Sequence, residues 1–315
     1  MMKFLTILGA ALALALVVGF AIKEPPPTPQ QKGPPVTRLD LSTYSSTAVQ
    51  DRLSLLFIHH SCGGQLFAPQ AAADDGESCI YDAAANGGGL RPRLEAAGYD
   101  VHEASYNSKI GHDTDIFHWL PKFRDQMDLV LKVDHQDTFF EDGRTHDVVM
   151  FKSCYPNSVF VGQGAAPGNP AGPELTVENA KATYRALLPI FAEHPQRLFV
   201  VVTAPPRVFK ADRLAKTLIK RLLGRPTLAQ SGPWARSFNN WLVDVKRGWL
   251  ADYAHKNVIV MDYYDVLTGH GASDFSIYGS GPDGTDDHPS AEGNSKAAEL
   301  FAPMLNQAVR RAGLR

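Results

Sequence analysis

The sequence of 315 residues has little net charge and little cysteine. Its 31 lysines and arginines nearly balance 33 aspartates and glutamates, so the chain has no overall attraction to nucleic acid or to anionic lipid. The three cysteines include no Cys-x-x-Cys pair, which argues against a disulfide scaffold and against structural zinc. The hydrophobic content of 44% excludes a disordered chain and is sufficient for a large core.

The N-terminal region contains an uncharged apolar run over residues 4–22. The run is long enough to span a bilayer and also resembles a signal peptide, so residues 1–22 are predicted to be a cleaved leader or a retained anchor. The proline-rich residues 23–37 are predicted to form an extended linker. We therefore expect an exported protein, periplasmic, extracellular or anchored to the membrane by its N-terminus alone. An oxidising compartment would allow one disulfide among Cys62, Cys79 and Cys154.

Residues 38–315 are predicted to form one α/β domain, because short apolar runs alternate with segments of helical spacing. The predicted strands cover residues 53–58, 100–104, 148–151, 198–202 and 258–261, and the predicted helices cover residues 90–97, 177–192, 234–254 and 291–309. Continuous apolar strands of this kind are buried on both faces. The pattern predicts a three-layer α/β/α sandwich around a mainly parallel sheet of about five strands.

Ser61 lies directly after the first predicted strand, in His59-His60-Ser61-Cys62-Gly63-Gly64. Open α/β sheets form their ligand crevices at the carboxyl ends of the strands, so this hydroxyl is the leading candidate nucleophile. The following glycines permit a sharp turn, and the N–H of Ser61 could help to hold an oxyanion if a helix begins there. The alternative is that the serine only caps a helix.

His288 lies just before the last predicted helix, in Gly284-Thr285-Asp286-Asp287-His288-Pro289-Ser290. A carboxylate beside an imidazole can orient the ring and stabilise its protonated form, so His288 is predicted to be the general base for Ser61. Asp286 is the first choice for the orienting acid, with Asp287 and Asp283 as alternatives. The alternative for the whole loop is a polar start of a helix.

Together these two segments resemble the SGNH (GDSL-like) hydrolase family, from about Leu53 to the end of the chain. The resemblance implies a flavodoxin-like sandwich and a serine esterase with a Ser61, His288 and Asp286 site that needs no cofactor and no metal. The sequence departs from the family pattern in three ways. His59-His60 replaces Gly-Asp, Thr285 replaces the aspartate three residues before the histidine, and Gly-x-Asn-Asp is absent.

The resemblance also implies donors to the oxyanion in addition to the N–H of Ser61. Gly111, in Tyr106-Asn107-Ser108-Lys109-Ile110-Gly111, matches the glycine of the second family block. For the third block, the expected asparagine is displaced to Asn157 or replaced by another donor such as Lys152. The implied substrate is a small-molecule or carbohydrate ester, and O-acetyl groups on a polysaccharide are the favoured choice.

Other functions stay open from the sequence. A non-catalytic envelope or carbohydrate-binding protein would explain the altered motifs. Cys62 could act as a thiolate nucleophile, residues 113–119 could contact a sugar or begin a capped helix, and the basic amphipathic residues 210–225 could be a solvated surface helix or a membrane-binding one. A metal-dependent hydrolase would draw its ligands from a set of histidines and aspartates, namely His59, His60, His112, Asp113, Asp115, Asp286 and His288.

Overall fold

A seven-stranded sheet forms the middle layer of the computed structural model, which describes residues 35–72 and 76–314. Its strands are β1 (Leu53–Ile58), β2 (Tyr99–Ala104), β3 (Val133–His135), β4 (Thr138–Phe139), β5 (Val148–Lys152), β6 (Leu198–Val202) and β7 (Val258–Met261), in the order β4-β3-β2-β1-β5-β6-β7. A separate two-stranded ribbon joins β8 (Gly279–Ser280) to β9 (Asp286–Pro289). The predicted α/β architecture is confirmed.

The five predicted strands form the parallel core of the sheet, and β1 pairs with β2 on one side and with β5 on the other. The prediction of about five strands missed β3 and β4, which add a short edge in which β4 runs antiparallel to β3. These two strands have three and two residues, too few to show an alternating pattern in the sequence.

Eight α-helices lie within the described residues. They are α1 (Ser61–Phe67), α2 (Leu90–Ala96), α3 (Trp119–Val130), α4 (Val177–Ala192), α5 (Leu214–Leu222), α6 (Leu228–Val243), α7 (Tyr263–Leu267) and α8 (Ala291–Ala312). The predicted helix over residues 234–254 is displaced toward the C-terminus by comparison with α6. The side chains of Thr227 and Gln230 form a capping box that starts α6 earlier, and Asp244 ends it with an extended backbone and a carboxylate that accepts the N–H of Lys246.

Helices cover both faces of the sheet. Alternate residues of β1 point to opposite sides, so Leu55 and Phe57 join one buried cluster with α1, α2 and α8, whereas Leu56 and Ile58 join the other with α3, α4 and α6. The strand therefore has no solvated face, which explains its continuous apolar sequence. The chain meets water where the strands end, and these ends carry the polar side chains discussed below.

The predictions for the leader and for most of the linker fall on residues 1–34, outside the described residues. No helix within residues 35–72 and 76–314 combines the length and the apolar character needed to cross a membrane. Helix α8 begins as predicted, with Ser290 as its N-cap accepting the N–H of Gly293.

We predict that acid destabilises the fold through His146. Its ring is fully buried, 2.8 Å from Ser54 Oγ and 2.6 Å from the carbonyl oxygen of Val133, and burial lowers its pKa to about 3. The unfolded chain binds this proton near pH 6.5, whereas the folded chain resists it. The contribution of His146 to the free energy of unfolding is thus fully present above pH 6.5. It falls toward pH 3 by up to about 1.4 kcal/mol per pH unit.

Urea unfolding measured across this pH range tests the prediction. His146→Gln should reduce the pH slope of the unfolding free energy, and the exposed His255→Gln should leave it as in the wild type. Equal slopes for all three proteins would show that His146 does not contribute to the acid sensitivity.

Candidate active site

The candidate site lies at the carboxyl ends of β1 and β5, which are neighbours in the sheet. From β1 the chain runs outward through β2, β3 and β4 on one side, and it then crosses to β5 on the other side of β1. Ligands of open α/β sheets bind at such a change of direction. Ser61 is the first residue of α1, after His60 as the N-cap. The chain that leaves β5 places Cys154 beside it, with the Cys154 Sγ 3.7 Å from the Ser61 Oγ.

A buried polar network holds the segment that carries Ser61. His59 is fully buried, with its Nε2 2.8 Å from Glu103 and its Nδ1 3.0 Å from the carbonyl oxygen of His60. Arg91 pairs with the other oxygen of the same carboxylate. Burial raises the pKa of Glu103, but hydrogen bonding to His59 and the charge of Arg91 lower it by more, so the net shift of the pKa is downward. The carboxylate therefore stays ionised and fixes the His59 ring.

The structure brings Ser61, His288 and Asp286 together in one hydrogen-bonded chain. The Ser61 Oγ lies 3.1 Å from His288 Nε2, and His288 Nδ1 lies 2.9 Å from Asp286 Oδ1. The same oxygen of Asp286 accepts the backbone N–H of His288 at 3.0 Å. When Nδ1–H donates its hydrogen bond to the carboxylate, the Nε2 lone pair is directed at the serine hydroxyl. This arrangement can take a proton from Ser61.

The three groups differ in exposure. The His288 side chain is 26% exposed and Asp286 is 53% exposed, so the acid faces solvent and the base lies at the mouth of the site. The backbone N–H of His288 is the main cause of a lowered pKa for Asp286, and the ring hydrogen bond lowers it further. The ring of Tyr155 meets the His288 ring edge-on, at 5.2 Å between centroids, and Arg207 covers the Tyr155 ring at 5.4 Å.

Asp287, the neighbouring carboxylate, points away from His288 and into the protein. One oxygen accepts the N–H of Val208 at 2.8 Å, and the other pairs with Arg207 at 2.7 Å and Lys210 at 3.3 Å. Burial raises the pKa of Asp287, but Arg207, the N–H of Val208 and the charge of Lys210 together outweigh burial, so the net shift is downward. Asp287 therefore fastens the chain after β6 to the loop of His288. Asp283, the third candidate acid, is exposed in the preceding turn.

The two additional oxyanion donors suggested by the family resemblance require correction. The N–H of Gly111 already donates to Ser108 Oγ at 2.9 Å, and its carbonyl oxygen lies 2.8 Å from His60 Nε2. A side chain at Gly111 would meet the Ser105 backbone at 2.2 Å, so close packing accounts for this glycine.

Asn157 likewise has partners in the fold. Its side-chain oxygen accepts the N–H of Ile116 at 2.9 Å, and its Nδ2 donates to Asp115 at 2.7 Å. These bonds fasten the segment after β5 to the start of the Ile116–His118 turn of 3₁₀-helix. The N–H groups in the first turn of a helix have no partner within that helix, so the N–H of Ser61 remains the donor that suits an oxyanion.

Two thiols lie beside Ser61, because β1 and β5 are neighbours in the sheet, and the buried Lys152 lies two residues before Cys154. The Sγ atoms of Cys62 and Cys154 are 3.4 Å apart, and both cysteines, like Cys79, are free thiols. Lys152, the last residue of β5, is fully buried and donates to the Ser153 carbonyl oxygen at 3.1 Å. Hydrogen bonding to Cys62 and the charge of Lys152 lower the pKa of Cys154, whereas burial raises that of Cys62. Cys154 is thus the better candidate for a thiolate.

The residues considered as metal ligands are engaged in separate contacts. His59 binds Glu103, His60 packs on the Tyr106 ring at 3.5 Å, and Asp115 caps a turn of 3₁₀-helix. No group of three or more histidine, cysteine, aspartate or glutamate side chains in residues 35–72 and 76–314 could hold a metal ion. In residues 113–119, Trp119 is fully buried and donates to Ser153 Oγ at 2.8 Å, which supports the capped-helix alternative over contact with a sugar.

Comparison with known proteins finds no matching family model and no matching curated protein. A solved family two carbohydrate esterase from Cellvibrio japonicus is similar to the chain at 13% identity and a TM-score of 0.34, over 84% of this chain and 63% of that one. A second solved chain has 14% identity and a TM-score of 0.38, over 80% of this chain and 94% of its own. Neither likeness says anything about the activity of this chain.

We predict that the two adjacent carboxylates differ in their effect on stability. Asp287→Ala should lower the free energy of unfolding by about 1–3 kcal/mol, because it leaves the N–H of Val208 and the Arg207 charge without their buried partner. Asp286→Ala should change stability by less than about 0.5 kcal/mol, because its side chain is half exposed. Urea unfolding of both variants measures the difference, and similar losses would contradict these roles.

We also predict that Cys154 is a thiolate at neutral pH. The ultraviolet absorbance of a thiolate, measured during a pH titration, should appear at lower pH in the wild type than in Lys152→Met, because the buried ammonium stabilises the anion. Cys154→Ser should remove this signal and Cys79→Ser should leave it. If Cys154→Ser titrates like the wild type, the thiolate is not on Cys154.

Proposed function

We propose that the protein is an exported serine esterase of SGNH type. The observation that carries this proposal is the chain of hydrogen bonds from Ser61 through His288 to Asp286, at the carboxyl end of β1. A nucleophile, a base and an orienting acid within hydrogen-bond distance are the parts that acyl transfer needs. The proposed domain of this enzyme is residues 38–315, behind the leader and the linker.

Ser61 begins the reaction by attacking the ester carbonyl carbon while its proton passes to His288 Nε2. The carbonyl oxygen becomes an oxyanion, which the N–H of Ser61 at the start of α1 stabilises. Asp286 stabilises the imidazolium, which then returns the proton to the departing alcohol as the carbon–oxygen bond breaks. A water molecule, deprotonated by His288, hydrolyses the acyl-serine by the same steps and restores the serine.

The proposed substrate is an ester of small-molecule or carbohydrate type, with O-acetyl groups on a polysaccharide as the first choice. The site has an aromatic and cationic edge that suits a polar alcohol, because Tyr155 meets His288 and Arg207 covers Tyr155. An extracytoplasmic polysaccharide would also be accessible to a protein exported by its leader.

A non-catalytic carbohydrate-binding protein of the same fold is the second candidate. It is favoured by the partners of Gly111 and Asn157, which leave the oxyanion with fewer donors than the family pattern implies. Such a protein would keep an ordered crevice and bind a glycan without turnover. Measurements of turnover and of covalent labelling therefore distinguish the esterase from the binding protein.

Turnover of p-nitrophenyl acetate tests the esterase directly. Ser61→Ala should lower kcat/KM by roughly a thousandfold or more, and His288→Ala should have a similar effect because the two residues act as a unit. Asp286→Asn should cost less, since the half-exposed carboxylate can be replaced in part by water. The exposed Ser45→Ala serves as the matched control and should retain wild-type turnover.

Labelling by a fluorophosphonate gives a second measurement that does not depend on the choice of ester. Mass spectrometry should find the adduct on Ser61 in the wild type and no adduct in His288→Ala, because the base is needed to activate the serine. A wild-type protein with neither turnover above that of Ser61→Ala nor an adduct would overturn the esterase and leave the binding protein.

A further inference from the structure

The segment after β6 connects the candidate site to helix α5, which is exposed on the protein surface. Arg207 and Lys210 both pair with Asp287, the residue next to His288. Four residues beyond Lys210 the chain enters α5, Leu214–Leu222. The chain that leads into α5 is therefore held to the loop of His288 by Asp287.

Helix α5 is amphipathic, but its apolar side faces solvent. Four large apolar side chains of the helix and its end are more than half exposed: Leu218 at 59%, Ile219 at 52%, Leu222 at 78% and Leu223 at 63%. An α-helix turns about 100° per residue, so these four residues share an arc of about 140°. Thr217 lies on the opposite side of the helix and is buried. The four apolar side chains therefore lie on the side of α5 that faces away from the buried Thr217.

The segment that contains α5 is strongly basic. Residues 207–225 contain seven lysines and arginines and one aspartate, in a protein whose net charge is −2. That aspartate, Asp212, pairs with Lys216 at 2.7 Å and with Lys220, and it ties the first turn of the helix to the next. Arg213 and Arg225 are exposed. The exposed apolar stripe is therefore bordered by cationic side chains.

We propose that α5 docks the protein on an anionic lipid bilayer, with Leu218, Ile219, Leu222 and Leu223 inserted at the interface. Apolar side chains beside lysine and arginine are the pattern of an interfacial helix, which combines burial in the acyl boundary with attraction to anionic headgroups. Nucleic acid or an acidic glycan would attract the same charges, but neither needs four exposed large apolar side chains. Docking would bring the chain that joins α5 to the loop of His288 to the membrane surface.

This proposal takes the membrane-binding alternative for residues 210–225 over the solvated helix, and it does not depend on the esterase. It rests on the exposure of α5 and on the charge of residues 207–225. If the esterase is wrong, the surface remains. If the docking is wrong, turnover of a soluble ester is unaffected.

Hydrogen exchange of the full chain with vesicles tests the docking at the level of the helix. Amides of residues 214–223 should exchange several-fold more slowly with phosphatidylglycerol–phosphatidylcholine vesicles than with phosphatidylcholine vesicles or without lipid, because anionic lipid orders and shields the helix. The apolar residues 4–22 can bind vesicles on their own, but this binding would not protect α5 selectively. Unchanged exchange of 214–223 with anionic vesicles would overturn the proposal.

Paired variants separate α5 from other apolar surface. Leu218→Ser/Leu222→Ser should abolish the protection of residues 214–223 and weaken vesicle partition about tenfold or more, whereas Ile277→Ser/Leu300→Ser, which alters two other exposed apolar residues, should preserve both. Turnover of p-nitrophenyl acetate should be equal in both variants and the wild type. A loss of self-association measured by light scattering without lipid, with vesicle partition unchanged, would identify α5 as an interface between copies and overturn the proposal.

Discussion

The pairing of β1 with both β2 and β5 is the constraint on which the rest of the molecule depends. It places β1 inside the sheet, where α1, α2 and α8 cover one face and α3, α4 and α6 cover the other. A strand so enclosed can expose polar groups only at its end, and there the chain presents Ser61. The parallel neighbour β5 ends at the same edge, which explains why Cys154 lies against the serine.

Low dielectric around this edge makes each buried charge depend on a specific partner. Glu103 stays ionised because His59 and Arg91 bind it, and this network holds the backbone that leads to Ser61. Lys152 has only a carbonyl oxygen as its hydrogen-bond acceptor among the described residues, so a thiolate at Cys154 would supply its counter-charge. The buried polar groups near the serine thus form two sets. Glu103, His59 and Arg91 hold the backbone, whereas Lys152 and Cys154 can change their ionisation.

The short segment Asp286-Asp287-His288 links the site to the surface, because adjacent residues of a strand point to opposite sides. Asp286 and His288 face the serine, whereas Asp287 faces the protein and holds the chain that continues into α5. The proposed catalytic loop and the proposed membrane-docking surface therefore share a structural connection. Their functions remain separable because the carboxylate that joins them takes no part in the proton transfer.

The sequence alone determined the alternation of strands and helices and the position of Ser61 and His288 at the ends of elements, since apolar period and capping residues are local properties. It also favoured Asp286 over Asp287, because an extended backbone turns neighbouring side chains apart. Only the tertiary structure decided that Ser61 meets His288, that Gly111 and Asn157 have other partners, and that the apolar side of α5 faces outward. Each of these depends on contacts between residues far apart in the chain, and the periodicity of a helix defines its apolar side without defining what covers that side.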